Sequence, residues 1–409
     1  MPDVGDLPRV VVTGLGAISA FGPGAAPLLA GIREGRSGIG RAEQFDVTGF
    51  DHELAGEVRD FAPERHLRRL APRDWGRTAL FAATAARLAA TDAGFDTDTL
   101  PFARAVSCFG TTNGESQLME RIAGAMAELG ADAVRPELAG RADGGSVATA
   151  AAAELGIEGQ ALTVGTACAA ANYAIGYAYD LIRGGQADVA VCGGADASNR
   201  AIHAGFHRLG ALAKDVPRPF DTHRDGIVTA EGGVALLLER LDSARARGAR
   251  IYAEVLGYGM RCDARHMTNP DTDSIAECIR IAQRHAGVRP AEVDYISAHG
   301  TGTRANDIAE VSAVRSVFGD HVPPISSIKS MLGHTMGAAA GFGALVCCAA
   351  IRDGFLPPTA TLTDPDPELG PGLDHVPGRA RAARVRVAQN HGFAFGGNNA
   401  ITIFGAVPA

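Results

Sequence analysis

The chain has 409 residues, 46% of them hydrophobic and 21% charged, and a formal net charge of −8. That composition belongs to a folded globular protein with enough apolar residue for two domains or one large duplicated core, and it excludes a disordered chain. The acidic balance gives no reason to expect nucleic acid as a partner.

Short β-rich apolar runs alternate with alanine-rich helical stretches, the pattern of an α/β fold with buried strands. In the first part, strands are expected over residues 9–13, 105–109, 160–164, 189–192 and 234–238. Helices are expected over 75–93 and 169–183, each followed by glycine, as a helix C-terminus favours. The second part repeats the count, with strands over 252–257, 293–298, 325–328, 385–389 and 400–404 and a helix over 337–351. Two similar halves, 1–250 and 251–409, are therefore expected, and the proline-rich stretch 357–371 reads as a long surface loop.

Four glycine-punctuated segments carry candidate chemistry. Gly165-Thr166-Ala167-Cys168-Ala169-Ala170-Ala171 lies between a strand and a helix. A thiol there meets the positive end of the helix dipole, which is expected to lower its pKa. Ser297-Ala298-His299-Gly300-Thr301-Gly302-Thr303 places an imidazole where a strand ends, the usual ligand edge of an α/β sheet. Ser327-Ile328-Lys329-Ser330-Met331-Leu332-Gly333-His334 again runs from strand into turn. Asn390-His391-Gly392-Phe393-Ala394-Phe395-Gly396-Gly397 joins two strands, where backbone N–H groups could face an oxyanion and phenylalanines close a pocket.

Lysine usage sharpens the third segment. Only Lys214 and Lys329 are lysine among the 38 basic residues, the rest being arginine. A lysine retained in such a chain implies a demand for a compact ammonium in place of a guanidinium fork.

Other patterns point away from cofactors and membranes. Gly14-Leu15-Gly16-Ala17-Ile18-Ser19 lacks the third glycine of a dinucleotide fingerprint. The seven cysteines have no C-x-x-C spacing and read as reduced thiols, and no His/Cys/Asp/Glu cluster has metal spacing. The first residues do not read as a secretory leader, and no apolar run reads as long and charge-free enough to span a bilayer, so a cytoplasmic location is expected.

In this order and spacing the four segments resemble the β-ketoacyl-(acyl carrier protein) synthases, the ketosynthase branch of the thiolase-like superfamily. The similarity extends to VVVTGLGAISAFG near the start, PRPFDTHRDGIVTAEGG at 217–233, HMTNP at 266–270 and the C-terminal FGGNN. The resemblance implies a five-layered αβαβα fold of two duplicated halves. It implies a Cys168, His299, His334 triad with Lys329 organising the histidines and Asp307 and Glu310 supporting them. Cys168 and Phe395 would supply the oxyanion N–H groups, and Phe393, Phe395 and Gly396 would form the gate. Thr301, Thr303 and Thr268 would contact the phosphopantetheine arm of an acyl carrier protein, the partner expected, with no further cofactor. A homodimer is the default, with a heterodimer beside a chain-length-factor-like subunit as the alternative.

The implied reaction is decarboxylative Claisen condensation of an acyl group on Cys168 with a malonyl-type extender, in polyketide or specialised fatty-acyl biosynthesis. Alternatives are an acyl-cysteine used for cyclisation or acyl transfer, or a pocket-shaping subunit, which usually lacks the nucleophile present here. The sequence departs from the family at Asn113, where an apolar residue at the inner end of the acyl pocket is usual. Either Asn113 meets water or a polar or unsaturated chain, or it bonds neighbouring backbone. Ala169, Ala170 and Arg265 also differ from the pattern, and Ala394, replacing glycine, is expected to stiffen the gate if positive φ is needed there.

Overall fold

A computed structural model describes residues 7–408 except 96, 97, 99 and 102. Its main sheet uses β1 (Val10–Ser19), β2 (Ala105–Gly110), β3 (Ala161–Val164), β4 (Val189–Asp196) and β5 (Gly232–Arg240) from the first half of the chain. From the second come β6 (Ala253–Cys262), β7 (Tyr295–Ser297), β8 (Ile325–Ser326), β9 (Val387–Gly392) and β10 (Asn398–Gly405). The principal helices are α1 (Arg77–Asp92), α2 (Ser116–Leu129), α3 (Ser146–Leu155), α4 (Ala170–Arg183), α5 (Arg200–Arg208), α6 (Thr272–Ala286), α7 (Arg304–Phe318) and α8 (Ala339–Asp353).

The strands run in the order β8-β7-β9-β10-β6-β1-β5-β4-β2-β3. Outward from the centre, each half therefore has its first, fifth, fourth, second and third strand. The pairing senses repeat too: β2 is parallel to β3 and β4 as β7 is to β8 and β9, and the remaining pairs are antiparallel. The halves join where Val10–Val12 pair with Ala253–Val255.

Helices α4 and α8 pack on each other between the half-sheets, α1 and α3 cover the outside of the first, and α6 and α7 cover the outside of the second. These are the five layers of a thiolase-like α/β fold. The Gly14-Leu15-Gly16 motif serves this packing. A Cβ on Gly14 would lie 2.1 Å from the Ala89 carbonyl oxygen, and one on Gly16 would lie 1.9 Å from that of Ala85, so α1 can cross β1 only over glycine.

Two expectations need correction. The segment Met336–Asp353 is long and apolar enough to cross a membrane, but 83% of it is buried inside the fold, where it includes the core helix α8. The proline-rich loop is not simply a surface loop. Thr359 is fully buried and accepts the Ser327 N–H, while Asp366 pairs with buried Arg224.

Candidate active site

Cys168 sits in a single 3-10 turn, Ala167–Ala169, which leads directly into α4. The chain reaches it through Ala167 at φ 46°, a left-handed conformation uncommon for alanine, so the thiol stands on a sharp elbow between β3 and α4. It forms part of a cleft together with His299, His334, Thr268, Thr301, Thr303, Phe393 and Phe395.

Each group arrives from a different element. His299 lies two residues past the end of β7, and His334 follows the short helix Lys329–Leu332. Their rings meet edge-on with centroids 5.5 Å apart. The Met336 N–H donates to His334 Nδ1 at 3.1 Å, so in the neutral ring the proton sits on Nε2. Burial and then the charge of Lys329 push both imidazoles well below the usual histidine range, so they are neutral hydrogen-bonding groups near neutral pH.

Lys329 is only 6% exposed. Its Nζ donates to the His299 carbonyl oxygen, so it anchors the backbone that carries the imidazole. Burial lowers its pKa to about 8, against the opposing pull of Glu310, Cys168 and Asp307.

Glu310 is fully buried on α7 and accepts the N–H groups of His299 at 2.8 Å and Gly300 at 2.7 Å. His391 Nδ1 bonds the same carboxylate at 2.8 Å. Burial works to raise this carboxyl, but His391 and the two N–H groups outweigh it, so it stays below the usual glutamate range. Asp307 holds the other end of the turn, accepting N–H groups from Phe220 at 2.9 Å and Gly302 at 3.3 Å; burial raises its pKa to about 6. Gly300 and Gly302 have φ of 38° and 81°, which lets this turn curl around both carboxylates. Thr301 and Thr303 share a hydrogen bond of 2.9 Å on the cleft wall.

The thiol itself differs from the expectation. Its burial raises the pKa to about 11, while the Lys329 charge and the N–H groups of Cys168 and Phe395 pull it down. At the base of a closed cleft, loss of water outweighs the helix end. The resting group is therefore a thiol, and two backbone donors already approach its sulfur.

In the gate, Phe395 is 36% exposed and leans on Phe206, while the Gly396 N–H ties the loop to the Met267 carbonyl at 2.8 Å. Ala394 is extended at φ −130°, so it brings no backbone strain; Gly396 and Gly397 take the positive angles. Arg265 is an exposed partner of Asp271. Asn113 is not among the residues of the Cys168 cleft; it lines a separate groove with Met119, Leu162 and Gly165.

Sequence reasoning missed Asp196, Phe206 and His391. Asp196 is fully buried and accepts N–H groups of Thr112, Asn113 and Gly337, tying the β2 loop to the turn after His334. No motif marked it, because its partners lie more than 80 residues away in both directions.

Models of the β-ketoacyl synthase N-terminal and C-terminal domains match residues 8–244 and 252–363. The chain is 39% identical to 3-oxoacyl-[acyl-carrier-protein] synthase 2 of Synechocystis sp., with 97% of each covered. It is 35% identical to nodulation protein E of Rhizobium meliloti, over 97% of this chain and 98% of that one. Among solved structures, the ishigamide ketosynthase/chain length factor aligns with a TM-score of 0.95 and 49% identity, covering 98% of this chain and 100% of that one. The AntDE:AntF complex, a type II PKS acyl-carrier protein with its ketosynthase bound to the hexaketide, aligns at 0.89 and 31%, with the same coverage.

Proposed function

The chain belongs to the β-ketoacyl synthase family, and from that premise we propose that it performs decarboxylative condensation on Cys168 in polyketide or specialised fatty-acyl synthesis. The carrying observation is the convergence of the Cys168 thiol, two neutral imidazoles and the Cys168 and Phe395 N–H groups on one cleft.

In the first half-reaction the Cys168 sulfur attacks the carbonyl carbon of an acyl thioester on a carrier protein. The new S–C bond forms as the carrier's C–S bond breaks, and the carrier thiol leaves with the proton that Cys168 gives up. The Cys168 and Phe395 N–H groups hold the oxyanion. Thr268, Thr301 and Thr303 line the path of the phosphopantetheine arm, and no other cofactor takes part. Phe393 and Phe395, with the Gly396 pivot, gate that path.

In the second half, the thioester oxygen of a malonyl-type extender sits between His334 Nε2–H and His299. The carboxylate leaves as carbon dioxide, its bonding electrons pass into an enolate, and the imidazoles stabilise the oxygen's charge. The enolate carbon attacks the Cys168 thioester, and the sulfur leaves to regain a proton. Lys329, Asp307 and Glu310 position these groups. Intact-mass measurement after incubation with acyl-carrier thioesters tests the assignment: an acyl adduct on Cys168 is expected, and none from any acyl donor would refute it.

The Lys329 ammonium is present below about pH 8 and is lost above it. Condensation is therefore expected to decline as pH rises through about 8, with no limb from His299 or His334 near 6.5. A kcat/KM profile of wild type against Lys329→Met checks this; an alkaline limb unchanged in the variant assigns it elsewhere.

We further propose a homodimer built across β3. This strand is one end of the strand order, and Leu162 on it is exposed, as are Met119, Met126 and Leu129 on α2. An open strand edge flanked by apolar side chains is a pairing surface, and a second copy would add its own β3. Light scattering should give twice the 42.1 kDa chain mass, falling to one chain mass in Leu162→Glu. A monomeric wild type would instead favour an unlike, chain-length-factor-like subunit. Reduced, mostly buried cysteines and a carrier-protein partner support a cytoplasmic location.

A further inference from the structure

The two strands that lead to the reacting groups separate just before they reach them. β7 pairs with β9 as far as Ser297 opposite Asn390, where the ladder ends. Beyond that pair β7 runs on to His299, while β9 runs through His391 to Phe393 and Phe395. A side chain from a third element bridges them there. Glu310 Oε1, on α7, accepts both the His299 N–H and the His391 Nδ1–H at 2.8 Å. One carboxylate oxygen thus stands where the next rung would be.

The surroundings of His391 orient it for that bond. The residue is buried, and Gln283 donates to Gln389 Oε1 at 3.2 Å, which turns the Gln389 amide nitrogen toward His391 Nε2 at 2.5 Å. Nε2 therefore accepts, and the neutral ring carries its proton on Nδ1, facing Glu310. The same ring packs on Phe393 with centroids 5.1 Å apart, and Phe393 meets the His299 ring at 5.8 Å. His391 ties β9 to His299 twice, through Glu310 and through Phe393. His299 has its own supports, since Glu310 holds its N–H and Lys329 its carbonyl.

We infer that His391 is a positioning residue that sets the spacing between His299 and the Phe395 N–H group, and so brings the enolate within reach of the acyl-enzyme. The inference rests on the condensing role proposed for Cys168. Each half-reaction begins on one side alone: acyl transfer needs Cys168 and the Phe395 N–H, and decarboxylation needs His299 and His334. Only carbon–carbon bond formation needs both sides in register, because an enolate held by the imidazoles must meet a carbonyl carbon held by the N–H groups. A misplacement of about 1 Å costs such a step about 100-fold. With β9 untied, carbon dioxide should still leave, and the enolate should take a proton from water to give an acetyl-type thioester instead of attacking the Cys168 thioester.

The test uses the full chain with a short saturated acyl-pantetheine thioester and malonyl-pantetheine, below the melting temperature of each variant. Intact mass follows the Cys168 adduct, and carbon dioxide and β-ketoacyl product are measured in parallel. In His391→Leu, acylation and carbon dioxide release are expected within about threefold of wild type, while product falls about 100-fold. His391→Asn, whose amide nitrogen lies near the place of Nδ1 and can donate to Glu310, should recover most of the product. Product unchanged in His391→Leu, or falling in step with carbon dioxide, overturns the inference, as does a His391→Asn that makes no more product than His391→Leu. If His391→Leu does not fold, His391→Ser, whose hydroxyl is too short to reach Glu310, is judged by the same ratio. No adduct and no product from wild type overturn the condensing role itself.

Discussion

Cys168→Ala should form no acyl adduct and should condense at least about 10,000-fold more slowly than wild type, a loss comparable to removing the nucleophile of other acyl-transfer enzymes. The cleft residues include no second cysteine to take over the acyl group. The half-reactions should separate in this variant. Release of carbon dioxide from a malonyl-type thioester needs His299 and His334 but not the thiol, so it should persist. In His334→Ala both activities should fall, since the enolate loses a donor on its oxygen, an effect of about 100- to 1000-fold for one preorganised donor. Measuring carbon dioxide release and β-ketoacyl product in parallel on the two variants checks the division of labour. Equal loss of both activities in Cys168→Ala would contradict it.

Glu310→Ala should destabilise the fold by about 3–5 kcal/mol, because it removes a buried carboxylate from the centre of a network. The N–H groups of His299 and Gly300 and the Nδ1 of His391 would lose their acceptor together, and Asn306 Nδ2 would lose a weaker contact at 3.4 Å. Urea unfolding should show a lower midpoint with little change in slope. The substitution also removes the largest charge interaction that raises the Lys329 pKa. The alkaline limb of activity expected near pH 8 should therefore move to lower pH. An unfolding free energy within about 0.5 kcal/mol of wild type would mean that the carboxylate does not hold the turn.

Much of the fold was legible along the chain. Every expected strand is present, with β1 and β6 running six and five residues past their expected ends, because buried strands are apolar runs that local pattern reveals. Strand 325–328 stops earlier, at Ser326, since Lys329 already opens a helical turn. Helices α2, α3, α5, α6 and α7 were not marked: α2, α5 and α6 carry mixed polar faces, and α3 and α7 lie beside glycine-rich segments that read as turns. The pairing of the two half-sheets was out of reach, because the contact between Val10–Val12 and Ala253–Val255 spans more than 240 residues.

The site divides along the same line. Sequence alone determined which chemistry is present: a cysteine at a strand–helix elbow, two histidines after strands, a lysine in a chain that otherwise uses arginine, and a repeated set of strands. Tertiary structure decided their state. It buried Cys168 so that its thiol lies near 11 where a helix end suggested a lowered value, and it brought Lys329 to the His299 carbonyl. It also set Asn113 in a groove beside the elbow, outside the cleft itself. The physical reason is that residue identity is local, whereas solvation and hydrogen-bond partners depend on elements brought together from across the chain.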